Sequence, residues 1–348
     1  MPHSIEKSTN TRSSDRNVGG FPTIPEFTPH PLLRGGHRQT IAGMYLPNRA
    51  QPVDTRQHVV DLDDGDQLAL HENQSTNWRP DGNVALLAHG VSGCHGSPYM
   101  VRVAKKLQDR GGCCFRLDAR GCGAGAHLAK NSTHAGRSED VIAALAHVRK
   151  LYPEARISLV GFSLGGAHVL KALSEANRTL LGHVDGFVVS PPVDLLACSR
   201  QISRTAFGFY DRRIARWLYR QIVIRRDRND RIAALDGGVA PNSIYKFDDQ
   251  FTAPLAEFDN ADHYYRVCST AAQMDQIDVP LQLIVAQDDP MIPLEIFQKL
   301  KFSATTKLHS TRHGGHLGFI GASSYDPDRR WMDWRVVNWV MRETCTGA

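Results

Sequence analysis

The sequence predicts an α/β protein in which a mostly parallel sheet is flanked by helices and a helical segment is inserted late in the chain. Two continuous apolar runs, 84–88 (VALLA) and 281–286 (LQLIVA), read as strands buried on both faces. Strand runs alternate with helical runs over much of the chain, which calls for βαβ units. The alternation stops between about 194 and 277, where the pattern is helical and irregular.

Residues 1–20 are polar, with almost nothing to bury, and read as a flexible tail. Residues 21–54 begin FPTIPEFTPHPLL, whose prolines suit an extended segment packed on the core. Strands follow at 57–61 (QHVVD) and 67–71 (QLALH), alternating about DDGD, so Asp64 and Gly65 sit at a hairpin turn. After strand 84–88 come helix 99–108, strand 113–118, helix 138–151, strand 156–161, helix 164–175 and strand 184–190. Strand 281–286 resumes the sheet, and 333–342 closes the chain with an amphipathic helix. The expected organisation is a core of 55–193 and 278–348 carrying an insertion at 194–277.

Composition excludes several classes. With 348 residues, 41% hydrophobic and 22% charged, the chain can bury a full core without staples. A net charge of +5 falls far short of the basic stripe of a nucleic-acid binder, so no nucleic-acid partner is expected. Seven cysteines, odd in number and without CxxC spacing, argue against a disulfide framework and a zinc site; a reducing cytoplasm fits them. The amino terminus has no apolar signal-peptide core, and no stretch reaches the roughly 18 apolar residues of a membrane span.

Gly161-Phe162-Ser163-Leu164-Gly165 matches G-x-S-x-G between a strand and a helix, the setting of a nucleophile elbow. The glycines allow a turn too sharp for Cβ atoms on either side, which lifts the serine Oγ clear of the backbone. Without chemistry, the same residues would be a strand-to-helix turn with a hydroxyl cap. A serine hydroxyl needs a base to take its proton, and the base needs a carboxylate to fix its tautomer. Both follow in order: AQDDP sets Asp288 and Asp289 just past a strand, and HGGH sets His313 and His316 beyond it. Asp289 and His316 are favoured; Asp288 and His313 compete with them. The two histidines could instead ligate a metal, but neither an HExxH helix nor a cysteine partner accompanies them, and no metal is expected. Oxyanion donors would be the N–H of Leu164 and one from the loop HGVSG, where Val91 is chosen. Residues 121–126 (GCGAGA) fit a dinucleotide fingerprint, yet a polar loop follows and the next helix starts near Ser138, so no cofactor is expected.

Together these residues resemble the α/β-hydrolase superfamily, and within it the YheT-like hydrolases and their eukaryotic relatives, the ABHD-type lipases. Beside GFSLGG, the segments GGHRQTIAGMYLP, HGVSGCHGSPYMVRVAKKL, LDARGCGAG, FDDQFTAPLAEFDNADHYYR, AQDDP and HGGHLGF look like signatures of that branch. The tail before Phe21 and the adjacent Cys113 and Cys114 have no counterpart in it. The resemblance implies an α/β-hydrolase fold with an inserted helical lid at 194–277. It places Ser163, Asp289 and His316 at the family's triad positions, with Val91 and Leu164 as oxyanion donors. It also implies a cofactor-free serine esterase or lipase acting on small-molecule or lipid esters, including acylglycerols, phospholipids and short-chain esters. The alternatives on the same triad are an acyltransferase or thioesterase, and a catalytically silent binding module.

Residues 200–231 contain ten arginines and no lysine, interleaved with Phe207, Phe209, Tyr210, Trp217 and Tyr219. A basic amphipathic lid of this kind could lie on an anionic membrane, which would make a cytoplasmic protein membrane-peripheral. The plainer reading is a solvated arginine face paired with nearby carboxylates.

Overall fold

The strands form one sheet, ordered β1-β2-β4-β3-β5-β6-β7-β8, in a computed structural model that describes residues 24–47, 50, 55–227, 229–322 and 326–343. In chain order they are β1 (Arg56–Asp61), β2 (Gln67–Gln74), β3 (Asn83–Ala88), β4 (Cys113–Asp118), β5 (Arg156–Phe162), β6 (Val184–Val189), β7 (Leu281–Ala286) and β8 (Thr306–Thr311). β1, β2 and β4 pair antiparallel, and every other neighbour pair is parallel. The expected tail at 1–20 lies outside the described residues.

Alternation along the strands divides the core into two layers. β3 sends Val84, Leu86 and Ala88 to one face and Ala85 and Leu87 to the other. On the first face lie α3 (Ser138–Leu151) and α4 (Leu164–Glu175); on the second lie α2 (Pro98–Asp109) and the C-terminal helix Trp331–Met341. Cys113 and Cys114, adjacent on β4, fall on opposite faces for the same reason. α2 starts with Pro98 in its first turn, where a missing N–H costs nothing, and α3 carries Glu139 and Asp140 at its start and Arg149 and Lys150 at its end, matching the helix dipole. Arg120 joins the hairpin turn to α3: it pairs with Asp64, with Asp66 at 2.9 Å and with Asp140 at 2.8 Å.

Two elements depart from the expectation. The segment 21–54 is not extended throughout, because Gly36–Tyr45 is a helix, α1. Its sequence, GHRQTIAGMY, does not announce a helix; tertiary contacts hold it there. The Gln39 side chain donates to the carbonyls of Leu33 (2.9 Å) and Ile320 (3.0 Å) and accepts from the Ile320 amide. The second departure is β8, TKLHST, an edge strand whose half-exposed polar residues leave no apolar run to read.

Between β6 and β7 the described chain is helical: α5 (Leu195–Arg204), α6 (Phe209–Arg226), α7 (Asp230–Leu235), short turns over 244–255, and the helix Ala261–Cys268. Asp194, Asn229, Ser243 and Asn260 each cap a helix start by accepting a backbone N–H. Ala206, Phe207 and Gly208 have positive φ and break α5 from α6. Among the described residues, no helix is long and apolar enough to cross a membrane.

The sheet order reverses around β3, which lies between β4 and β5. Ligand crevices in open α/β sheets form where the order reverses, beyond the carboxyl ends of the strands. The loop after β3 and the turn after β5 both lie there.

α4 carries a buried histidine whose titration is legible in stability. His168 Nε2 donates to the His134 carbonyl at 2.9 Å, and burial pushes its pKa down to about 4. The folded ring is neutral, so as pH falls below about 6.5 the unfolded chain takes up a proton first. The contribution is complete above that pH and is lost toward pH 4, by on the order of 3 kcal/mol. Urea midpoints measured from pH 7 to pH 4 should therefore drop more in the wild type than in His168→Gln; matching profiles would contradict the assignment.

Candidate active site

Ser163 is the one residue between the end of β5 and the start of α4. Its φ of 51° and ψ of −120° lie in a region that side-chain-bearing residues rarely occupy. The surroundings hold it: the Ser163 amide donates to the Val189 carbonyl at 2.9 Å, and its own carbonyl accepts from Gly166 at 2.8 Å. A Cβ on Gly165 would stand 2.3 Å from the Ala88 carbonyl oxygen, and one on Gly161 2.5 Å from the Gly166 Cα. No side chain fits at either position while the helix stays this close to the sheet.

The Ser163 Oγ lies 2.8 Å from His316 Nε2, and His316 Nδ1 lies 2.9 Å from Asp289 Oδ2. A carboxylate only accepts, so Nδ1 carries the ring proton and Nε2 offers its lone pair to the serine hydroxyl. The second carboxylate oxygen of Asp289 accepts the amides of Met291 (2.8 Å) and Ile292 (3.1 Å), which fixes its plane. Asp288 faces elsewhere: Oδ2 stands 3.1 Å from His313 Nδ1, and Oδ1 accepts the Gly315 amide at 2.9 Å. Two Asp–His pairs thus run side by side. Only the Asp289–His316 pair reaches Ser163, while Asp288 and His313 brace the turn that carries His316.

α1 holds that turn from its other side. The His316 amide donates to Thr40 Oγ1 at 2.8 Å, and Thr40 Oγ1 donates to the Gly36 carbonyl at 2.7 Å. Gly36 presses on Asp288 so closely that a Cβ there would fall 1.7 Å from the Asp288 carbonyl oxygen. Thr40 is a positioning residue that sequence reading missed; GGHRQT stood out as a segment, but nothing in it pointed to a contact 276 positions away.

Val91 and Leu164 line the same cavity as Ser163 and His316. Among the described residues, neither of their amides meets an acceptor within the chain. The neighbouring Gly90 amide is taken by the Tyr99 hydroxyl at 2.8 Å, and burial pushes that phenol up to about 12. His89 orders the same loop: its Nε2 accepts the Ala119 amide at 3.2 Å and its Nδ1 faces the Gly90 carbonyl at 2.8 Å. Burial holds its pKa below the ordinary value, so the ring stays neutral with the proton on Nδ1.

From Ser163 a cavity of about 390 Å³ runs under the helical insertion, lined by Leu195, Ile202, Ile214, Trp217, Phe247 and Met291 among others. That is the size and character of a pocket for a small apolar ligand.

The sequence profile of the alpha/beta hydrolase family matches residues 85–329. The chain belongs to the alpha/beta hydrolase family. This hydrolase is 27% identical to the Escherichia coli (strain K12) protein YheT, over 92% of its own length and 94% of that chain. It is 25% identical to mouse phospholipase ABHD3, covering 81% of this chain and 70% of the relative. To the monoacylglycerol lipase of Saccharomyces cerevisiae it is 26% identical, over 71% of this chain and 56% of the relative. The Pyrococcus furiosus esterase Pf2001 superposes on 92% of the hydrolase with a TM-score of 0.54 at 16% identity, a likeness of fold.

Proposed function

We propose that this hydrolase cleaves carboxylic esters through an acyl-enzyme formed on Ser163. The observation that carries the reading is the hydrogen-bonded chain from Asp289 through His316 to Ser163, opening on an apolar cavity. The names of two relatives, a phospholipase and a monoacylglycerol lipase, agree with lipid esters as the substrate class.

In this reading the Ser163 Oγ attacks the ester carbonyl carbon while its proton passes to His316 Nε2. Asp289 accepts from Nδ1–H and stabilises the imidazolium. The carbonyl oxygen gains the electron pair, and the amides of Val91 and Leu164 donate to it. Collapse expels the alcohol, which leaves with the proton from His316. Water then attacks the acyl carbon, gives its proton to His316, and the acid departs as Ser163 is restored. The cavity under the insertion holds the acyl chain, and no cofactor enters any step.

Ser163→Ala and His316→Ala should each lower kcat/KM for a short soluble ester by roughly 10⁴ or more, and the double variant should be no worse than the singles. Asp289→Asn should cost about 10⁴, because it removes the partner that fixes the tautomer, while Asp288→Asn should cost less than about tenfold. Losses that multiply in the double variant, or a larger effect at Asp288, would contradict the proposal.

We further propose that the insertion acts as a lid and rests on an anionic lipid surface. Among the described residues, some of its arginines are engaged within the chain and others are exposed. Arg225 is spent on Ser132 and on the carbonyls of residues 129–131; Arg226 pairs with Asp236 at 3.2 Å, and Arg213 stacks over Tyr45 and Trp217. Arg212, Arg216 and Arg220 are exposed at four-residue spacing along α6, Arg212 donating to the Phe207 carbonyl at 2.8 Å, beside the kink where Phe207 is 95% exposed. α1 flanks them through His37 stacked on Tyr210, and adds exposed Ile41 and Tyr45. Cations beside exposed apolar side chains suit a lipid interface. Each arginine near such a surface contributes about 1 kcal/mol, so combining Phe207→Ser with Arg216→Gln and Arg220→Gln should weaken binding to phosphatidylserine vesicles at least tenfold. Added salt should act likewise, and turnover of a short soluble ester should be unchanged. Vesicle binding indifferent to both substitution and salt would overturn the lid proposal.

A further inference from the structure

The loop 121–126, whose glycine pattern mimics a dinucleotide fingerprint, closes around a carboxylate instead. Asp118 ends β4 with 0% exposure. Gly123 sits at φ 49°, and a Cβ there would stand 2.4 Å from both Asp118 oxygens. Asp118 Oδ1 accepts the His95 amide at 2.6 Å. Oδ2 faces three donors at once: the Ala124 amide at 2.8 Å, His71 Nε2 at 3.1 Å and His95 Nδ1 at 2.7 Å. A carboxylate oxygen offers about two lone-pair directions, so one donor too many converges there. The two imidazoles stack, with ring centroids 3.5 Å apart and planes 15° from parallel. His71 Nε2, His95 Nδ1 and the carboxylate all lie within 4.8 Å of one another.

We propose that His71, His95 and Asp118 form a binding site for a divalent transition-metal ion of the zinc type. Ligand atoms on a tetrahedral zinc, with bonds of about 2.0–2.1 Å, stand about 3.3 Å apart, so the edges of 3.1 Å and 2.7 Å to Asp118 Oδ2 must open slightly, and the near-parallel rings must turn for both in-plane lone pairs to meet at the ion. One metal ion takes the place of the two ring N–H groups that face Oδ2: each neutral imidazole shifts its single proton to its far nitrogen, Nδ1 of His71 and Nε2 of His95, so the near nitrogen offers a lone pair to the ion and no proton is lost and no electron transferred. Two imidazole nitrogens and a carboxylate suit zinc better than magnesium or calcium. His95, whose side chain is 30% exposed, gives water a route to the fourth position.

The three ligands come from β2, from the loop after β3 and from the end of β4, so no sequence spacing marks the site. None of them lines the cavity that holds Ser163. A bound ion would fasten the loop carrying Val91 to the sheet; that consequence rests on the oxyanion role proposed for Val91, whereas metal binding itself does not.

The test uses tag-free, full-length protein stripped with chelator and titrated with Co²⁺ and then Zn²⁺. One equivalent of Co²⁺ should give the visible bands of a tetrahedral site, and Zn²⁺ should displace it one for one. His95→Asn, in a partly exposed loop, should keep the circular dichroism of the wild type and weaken Zn²⁺ binding by about 100-fold or more. His95→Cys, which restores a ligand, should recover most of the affinity. Absence of the Co²⁺ bands, or equal Zn²⁺ affinity in His95→Asn and wild type, would overturn the site. Neither readout involves ester turnover, so the site and the proposed activity fail independently.

Discussion

At Ser163 three elements meet with no space between them: β5 arrives, α4 departs, and the end of β3 lies against the departing helix. The Gly165 position shows how tight this is, since a Cβ there would touch the Ala88 carbonyl oxygen at 2.3 Å. That closeness holds a serine at positive φ, a conformation costing on the order of 1–3 kcal/mol, and aims its hydroxyl out of the sheet. The strain is sustained because β3, β5 and β6 are buried on both faces and cannot relax around the turn.

The His316 imidazole reaches this hydroxyl by a different device. The turn from His313 to His316 has little regular structure of its own and is clamped from two sides: Asp288 takes the Gly315 amide, and Thr40 on α1 takes the His316 amide. α1 is in turn pinned by Gln39 to the segment just beyond His316. A segment that precedes the first strand thereby sets the position of a side chain near the other end of the chain, and the cavity gains one wall from α1 through Thr40 and Met44.

Much of this was legible in the sequence because the governing constraints are local. The central parallel strands read as apolar runs, and the elbow reads as a pentapeptide between a strand and a helix. β8 escaped because a half-exposed edge strand has no apolar run. α1 escaped because its helix is held by Gln39 and Gly36 rather than by propensity. The choice between Asp288 and Asp289 depended on which carboxylate the loop turns toward His316, a matter of backbone direction that two adjacent identical residues cannot express. The His71, His95 and Asp118 cluster left no trace, since its members are neighbours only once β2 pairs with β4. The arginines of 200–231 looked uniform as a string, but packing separates the buried Arg225, spent on carbonyls, and Arg213, stacked on two rings, from Arg216 and Arg220, which are exposed.

The central claim is that Ser163 is a nucleophile activated by His316. Reaction of the full-length protein with a fluorophosphonate, followed by intact mass and peptide mapping, measures it without reference to any substrate. One phosphonyl adduct per chain is expected, on Ser163, absent in Ser163→Ala and formed far more slowly in His316→Ala. No adduct, or an adduct on Ser92 or Ser199, which line the same cavity, would contradict it.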